Sequence, residues 1–295
     1  MRKNIVIIGQ GAIGRAIRHL LEKTKHNVRI ECWDVDESVC PARKPLSDIV
    51  PEADILFMCI PSWTIRNAAK DLKHLIGRKT IIVSVSKGLD RVSGMTVDEL
   101  LKEVFSFTQP TVLLSGPMLA DEIMQDKPAA AVVASKRKST RMEIVRLFEK
   151  TKLHVEPCPD MRGAALCGIL KNIYAIGFGM AQAMHPGDNY RGLFMKTTLN
   201  EMAQIVTKLK GKKETVYTYA GVGDLVATGF SKHSKNHAYG TELATAGDVT
   251  FQSEGSVSLP AMHKMIGPLS KKLILFGTIY SIVKKKKDPK KILEI

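Results

Sequence analysis

The chain has 295 residues, 44% apolar and 25% charged, a balance normal for a globular protein with one large or two ordinary domains. Five cysteines (Cys32, Cys40, Cys59, Cys158 and Cys167), odd in number and without CxxC or zinc spacing, exclude a disulfide or zinc framework, so reduced thiols in a cytoplasmic protein are expected. The net charge of +15 favours acidic partners, among them phosphorylated metabolites, cofactors, nucleic acid and anionic membrane surfaces. In chain order, residues 4–8 (NIVII) form the first apolar run, of the kind that makes a buried parallel strand. Arg2 and Lys3 before it weakly resemble a signal peptide, but Gly9-Gln10-Gly11 and Arg15 cut the run too short for one.

The strand leads into Gly9-Gln10-Gly11-Ala12-Ile13-Gly14 and then the helical pattern RAIRHLLEKT. Gly9 permits a tight turn, Gly11 lets backbone approach a pyrophosphate, and Gly14 lets the helix pack close to the strand. The N–H groups at Ala12 and Ile13 open the helix toward an anion. A second strand, residues 28–33 (VRIECW), ends at Asp34, twenty residues after Gly14. A carboxylate there hydrogen-bonds the adenine ribose of NAD and repels the added phosphate of NADP, with Asp36 a weaker second candidate.

Strand-like and helical runs then alternate. Residues 54–60, 80–85, 111–114 and 129–134, and the stretch KLHVEP near Leu153, read as strands, and residues 62–75 read as a helix. This alternation predicts a doubly wound, Rossmann-type parallel sheet covered on both faces over residues 1–160. Two loops at strand carboxyl ends face the expected ligand crevice: Ser86-Lys87-Gly88-Leu89-Asp90, and Ser115-Gly116-Pro117-Met118-Leu119-Ala120. Gly116 would let backbone approach a ligand; either loop could equally be an ordinary turn.

Residues 161–295 read as an all-helical second domain, with helices over 163–184, 191–210 and 259–283, the last broken at Gly267-Pro268. The ligand is expected in the cleft between the domains. The first of these helices is mostly apolar and uncharged except for Lys171, with Asn172 beside it. It has membrane-spanning length, yet Lys171 would lie near the bilayer centre at a cost of roughly 2.5–3.5 kcal/mol, so a core helix is expected and no stable membrane insertion. A buried ammonium either pairs with a carboxylate or trades a proton with a ligand. Further on, GVGDLVAT brings glycines ahead of Asp224, as at a capped helix entry, with Thr228 one turn later. Ser234, Lys235 and Asn236 offer a hydroxyl, an ammonium and an amide suited to phosphate, in a stretch that also suits a solvated loop. His233 and His237 have no third ligand nearby, so no metal site is expected. The basic runs at residues 136–138 and 284–287 lack aromatic interleaving and read as solvated faces, with no nucleic-acid partner expected.

Taken together, SKGLD, LSGPMLADEI, GILKNIYAIGFGM with GDNYRG, and GVGDLVATGFSKHSKN resemble the NAD(P)-dependent glycerol-3-phosphate dehydrogenases over nearly the whole chain. The resemblance implies an NAD-linked enzyme, with dihydroxyacetone phosphate and sn-glycerol 3-phosphate as its small phosphorylated substrates, and a homodimer. By it, Lys171 is the catalytic lysine, assisted in catalysis by Asp224, which orients it or a substrate hydroxyl, and by Lys87, which adds positive potential and lies against substrate and cofactor; Gly116 touches substrate and Ala120 the cofactor. Asp224, Asn172, Thr228, Ser234, Lys235 and Asn236 match substrate-side positions, Lys235 also serving the cofactor, and Glu254 matches an acid that contacts the dinucleotide. The chain departs from the family pattern in having Lys235 for arginine, Met118 for a small hydroxyl residue, Asp34-Val35-Asp36 after the tryptophan, and Lys196-Thr197-Thr198-Leu199 before Asn200-Glu201-Met202. Two other readings stand beside it: a ketopantoate-reductase-like enzyme, and a non-catalytic dinucleotide sensor with a basic nucleic-acid-binding surface.

Overall fold

The computed structural model describes residues 2–106, 108–231 and 233–294. The chain divides into two compact units, Met1–Met161 and Arg162–Ile295. The first is built on one seven-stranded sheet. In chain order it contains β1 (Lys3–Ile8), α1 (Ala12–Glu22), β2 (Val28–Trp33), α2 (Leu46–Ile49), β3 (Ile55–Met58), α3 (Ile65–Leu72), β4 (Ile81–Ser84), α4 (Val97–Val104), β5 (Thr111–Ser115), α5 (Ala120–Met124), β6 (Ala129–Ala134), α6 (Lys138–Leu147) and β7 (Leu153–Cys158).

The spatial order is β2-β1-β3-β4-β5-β6-β7. Strands β1 to β5 are parallel, with Ile8 opposite both Trp33 and Met58. The chain thus starts inside the sheet, steps outward to β2 and returns past β1 to β3. That reversal leaves a crevice at the strand carboxyl ends. A sheet parallel throughout is not what forms, however. β6 runs antiparallel to β5, with Leu113 opposite Ala134, and β7 is parallel to β6. An apolar strand such as AAAVVA buries equally well in either direction, so its residue pattern carries no polarity. The core gathers Ile5, Ile7, Ile55, Phe57, Val83, Val112, Val133 and Phe148, and Met118 joins it. Phe57 and Phe148 meet edge to face at 6.3 Å.

The second unit is helical: α7 (Met161–Ala183, continuous with the first unit), α8 (Asp188–Lys208), a π-helical turn (Tyr219–Gly223), α9 (Asp224–Gly229), α10 (Lys235–Ala246), α11 (Glu254–Ile266) and α12 (Ile274–Lys285). Two 3-10 turns, Gly267–Lys272 and Pro289–Leu293, flank α12. α7 is apolar around its circumference and its most apolar stretch is wholly buried, as a central helix must be. α10 packs against it where side chains are missing: a Cβ on Gly179 would lie 2.0 Å from the His237 carbonyl, and one on Gly240 1.9 Å from that of Ile176.

A buried carboxylate ties three of these helices. Glu201 on α8 accepts the N–H groups of Leu275 (2.8 Å) and Phe276 (2.9 Å) and the hydroxyl of Tyr174 on α7 (2.8 Å). It therefore caps α12 from a distant part of the chain, since Leu273 at the N-cap has no capping side chain. Burial pushes the Glu201 carboxyl up, and those three donors only partly offset it.

Candidate active site

In the first unit, the glycine-rich turn joins β1 to α1. Gly9 has φ of +95°, and an added Cβ would meet the Cys59 carbonyl at 2.5 Å. On Gly14 a Cβ would lie 1.8 Å from the Gly9 carbonyl, so the helix start sits directly on the turn. Gly11 is different: nothing lies within 4 Å of its hypothetical Cβ. Gly11 is also the N-cap of α1, which has no side-chain cap and no acid in its first turn. Ala12 and Ile13 therefore bring backbone N–H groups rather than side chains, and Ile13 packs toward the core. An open glycine beside an uncapped helix start is what a pyrophosphate requires.

Beside this turn lies a cavity of about 560 Å³ at the β1/β3 reversal. Its walls include Gly9, Gly11, Trp33, Asp34, Cys59 and Pro61. Asp34 holds the turn: its carboxylate accepts the Gln10 N–H at 2.6 Å and the Asp36 N–H at 2.9 Å while still lining the cavity. Asp36 is not among the lining residues; its carboxylate accepts the Ser38 N–H. The far wall comes from Thr64, Asn67, Ala68 and Asp71. Sequence reasoning did not single these out, although their spacing marks one helix face directly after a strand. The cavity size, the open Gly11 and the placed carboxylate fit a dinucleotide.

The two loops at the ends of β4 and β5 meet each other. Lys87 Nζ donates to the Gly116 carbonyl at 2.8 Å. Gly116 lacks a side chain for a reason other than a ligand: a Cβ would sit 2.4 Å from the Ala130 carbonyl and 2.6 Å from Ala131 Cα, on β6. Met118 turns into the core, and Ala120 opens α5, which packs on α1. Asp90 is buried and bound by Arg66 at 2.9 Å and by Ser93. Burial alone pushes the Asp90 carboxyl up; the donors outweigh it and hold it below the usual carboxylate range.

In the second unit, the lysine of the apolar helix is buried at 8% exposure. Lys171 Nζ donates to Asp224 Oδ1 at 3.0 Å and to Thr228 Oγ1 at 2.8 Å. Asp224 and Thr228, one turn apart on α9, are also buried, and Thr228 donates to Asp224 Oδ1 at 3.4 Å. Asp224 does not act as the expected helix-entry cap. The GVG stretch is itself a π-helical turn, capped by Thr218, whose hydroxyl accepts the Ala220 N–H. That frees the carboxylate for the lysine.

One residue along α7, Asn172 Oδ1 accepts from Asn236 Nδ2 at 2.9 Å, and Asn236 Oδ1 accepts the Gly255 N–H at 2.8 Å. Asn236 thus joins α7, α10 and α11. Ser234 caps α10, accepting the His237 N–H, so this stretch is a helix start rather than a free loop, with Lys235 exposed on its first turn. Glu254 stands in the first turn of α11, behind the Ser253–Ser256 capping box. His237 Nε2 meets Gln182 Oε1 at 3.0 Å, and burial lowers the imidazole pKa.

A cavity at the reversal of a wound sheet, together with a buried lysine on a separate helical unit, puts the chain among the nicotinamide-dinucleotide oxidoreductases. Comparison with known proteins makes this specific. Residues 34–141 match the NAD-dependent glycerol-3-phosphate dehydrogenase N-terminus and residues 160–294 the corresponding C-terminus. A glycerol-3-phosphate dehydrogenase [NAD(P)+] from Acaryochloris marina is 34% identical over 243 residues, covering 81% of this chain and 75% of its own. One from Clostridium tetani is 28% identical over 317 residues, covering 98% and 90%. The crystal structure of glycerol-3-phosphate dehydrogenase from Coxiella burnetii, at 24% identity, has the same fold with a TM-score of 0.83, covering 99% of this chain and 98% of its own. The chain belongs to the NAD-dependent glycerol-3-phosphate dehydrogenase family.

Proposed function

We propose that this chain interconverts dihydroxyacetone phosphate and sn-glycerol 3-phosphate, with Lys171 as the proton donor and acceptor. The observation that carries this reading is the buried Lys171 ammonium, 3.0 Å from Asp224 and 2.8 Å from Thr228, in the buried interior of a mostly apolar helix. The bound nicotinamide dinucleotide supplies or accepts the hydride. The open Gly11, the N–H groups of Ala12, Ile13 and Gly14, and the Asp34 carboxylate would hold it, with Lys87 and Ala120 at neighbouring strand ends and Glu254 and Lys235 as further contacts. Asp34 favours NAD, because a phosphate on the ribose would face its negative charge.

As the substrate ketone is reduced, negative charge grows on its oxygen. Lys171 stabilises that charge and donates a proton to it; in the oxidation it accepts the alcohol proton. Asp224 and Thr228 act as positioning residues, fixing the ammonium so that little reorganisation accompanies the transfer. Gly116 and Asn172 border the substrate in this reading, and Ser234, Lys235 and Asn236 receive its phosphate. Asn236 is held in place by Asn172 and Gly255 with one amide N–H still to give, and the exposed Lys235 brings the charge to the phosphate contact. The reading extends to a homodimer working in the cytoplasm: the family resemblance supports the first and five free thiols the second.

The test is NADH oxidation with dihydroxyacetone phosphate, run beside ketopantoate and beside NADPH. Turnover with dihydroxyacetone phosphate and NADH is the expected outcome. Turnover with ketopantoate alone would move the substrate, and NADH binding without any turnover would end the catalytic reading.

A further inference from the structure

The second unit carries a surface that the reaction does not use. Between residues 255 and 293 stand nine lysines and a single acid, Asp288. All nine lysines are exposed, and none forms an ion pair among the described residues. Lys271 and Lys272 close the turn before α12; Lys284 and Lys285 end that helix, and Lys286, Lys287, Lys290 and Lys291 follow. Twelve residues of helix separate the two groups by about 18 Å. Between them the solvent side of α12 offers Ile274, which is 61% exposed, then Gly277, Thr278 and Ser281, with no acid.

The far end of this surface is an ordered part of the fold. Ile292 is fully buried, the Tyr190 hydroxyl donates to its carbonyl, and Asp288 caps the last turn by accepting the Lys290 N–H at 2.9 Å. Leu293 is exposed beside Lys290 and Lys291. Two lysines at the end of α12 would suffice to complement its dipole; this set goes well beyond that.

We propose that this face docks the protein peripherally on an anionic lipid bilayer. The charge is strongly positive, nine lysines against Asp288 and the flanking Glu294, it is spread along a helix that can lie flat, and exposed aliphatic side chains stand at both ends to enter the headgroup boundary. A polynucleotide fits less well. No arginine follows Arg191 in the chain. Tyr280, one turn before the lysine run, is already stacked on His263 at 3.8 Å on one side and approached by Lys285. Each lysine held near such a membrane gives roughly a fivefold gain in partitioning, so four together give at least about a hundredfold.

The full chain is sedimented with vesicles of phosphatidylglycerol mixed with phosphatidylcholine, and with phosphatidylcholine alone, at low and high salt. Binding to the anionic vesicles only, weakened by salt, is expected. Replacing Lys284, Lys285, Lys286 and Lys287 by glutamine should weaken it at least about a hundredfold while NADH-linked turnover in solution is unchanged. Leu293→Glu should weaken it on its own. Replacing Lys136, Arg137 and Lys138 by glutamine, in the first unit, should leave binding intact. The proposal is overturned if the wild type ignores anionic vesicles at low salt, or if the four-lysine variant binds as well as wild type. Lysine-dependent retention of duplex DNA without vesicle binding would overturn it equally.

Discussion

Removing the Asp224 carboxylate tests the lysine site most directly. Asp224 is 3% exposed and its Oδ1 lies 3.0 Å from Lys171 Nζ. At that separation the Coulomb attraction is roughly 5.5 kcal/mol for an effective dielectric of about 20. Deleting one partner of a buried pair typically costs about 3–5 kcal/mol, because the remaining charge stays out of water. Lys171 can limit the loss by giving up its proton, so Asp224→Ala should fall near the lower end, about 3 kcal/mol. At about 2–4 °C per kcal/mol, the second unit should melt roughly 6–12 °C lower. A neutral Lys171 cannot donate in the ketone reduction, so turnover should also fall, with its optimum displaced to lower pH. The double variant Lys171→Met with Asp224→Ala should be less destabilised than Lys171→Met and Asp224→Ala summed. Thermal and urea melts of all four proteins measure this. Single variants that melt like wild type, with additive effects in the double, would show that the pair is not coupled and would refute the reasoning.

Three further outcomes are expected. Lys171→Ala should lower turnover by about 10²–10⁴-fold while NADH affinity, measured by calorimetry, stays unchanged; normal turnover would remove the lysine from the chemistry. Asp34→Asn should raise kcat/KM with NADPH relative to NADH by about tenfold or more, and an unchanged ratio would mean another group reads the ribose. It should also loosen the turn, because the Gln10 and Asp36 N–H groups go to separate carboxylate oxygens and an amide turns one of these into a donor. Glu201 gives a signed pH dependence. Its folded pKa is raised above the ordinary 4.5, so its contribution is fully present below that value and is lost as pH rises through the folded pKa. Stability of the wild type relative to Glu201→Gln should therefore decline over that window in urea melts across pH, and a rising or flat difference would contradict the burial argument.

The residues themselves determined the elements and much of the cofactor side. Strand, glycine turn, helix and the acid after the second strand are local, because turn geometry and helix starts depend on neighbours a few residues apart. The apolar helix with one lysine in its interior was equally legible, since such a helix has to be central and a charge in its middle has to be accounted for. What lay beyond the sequence depends on which distant segments meet. The reversed direction of β6 and β7 leaves no mark on an apolar pattern. The reason for Gly116 is the backbone of Ala130, and the cap on α12 is Glu201, more than seventy residues earlier in the chain. The partner of Asp224 is a lysine 53 positions away rather than the helix start beside it. Periodicity and turn chemistry encode the pieces; only packing decides which buried donor faces which acceptor, because nearly all such groups are paired in the folded interior.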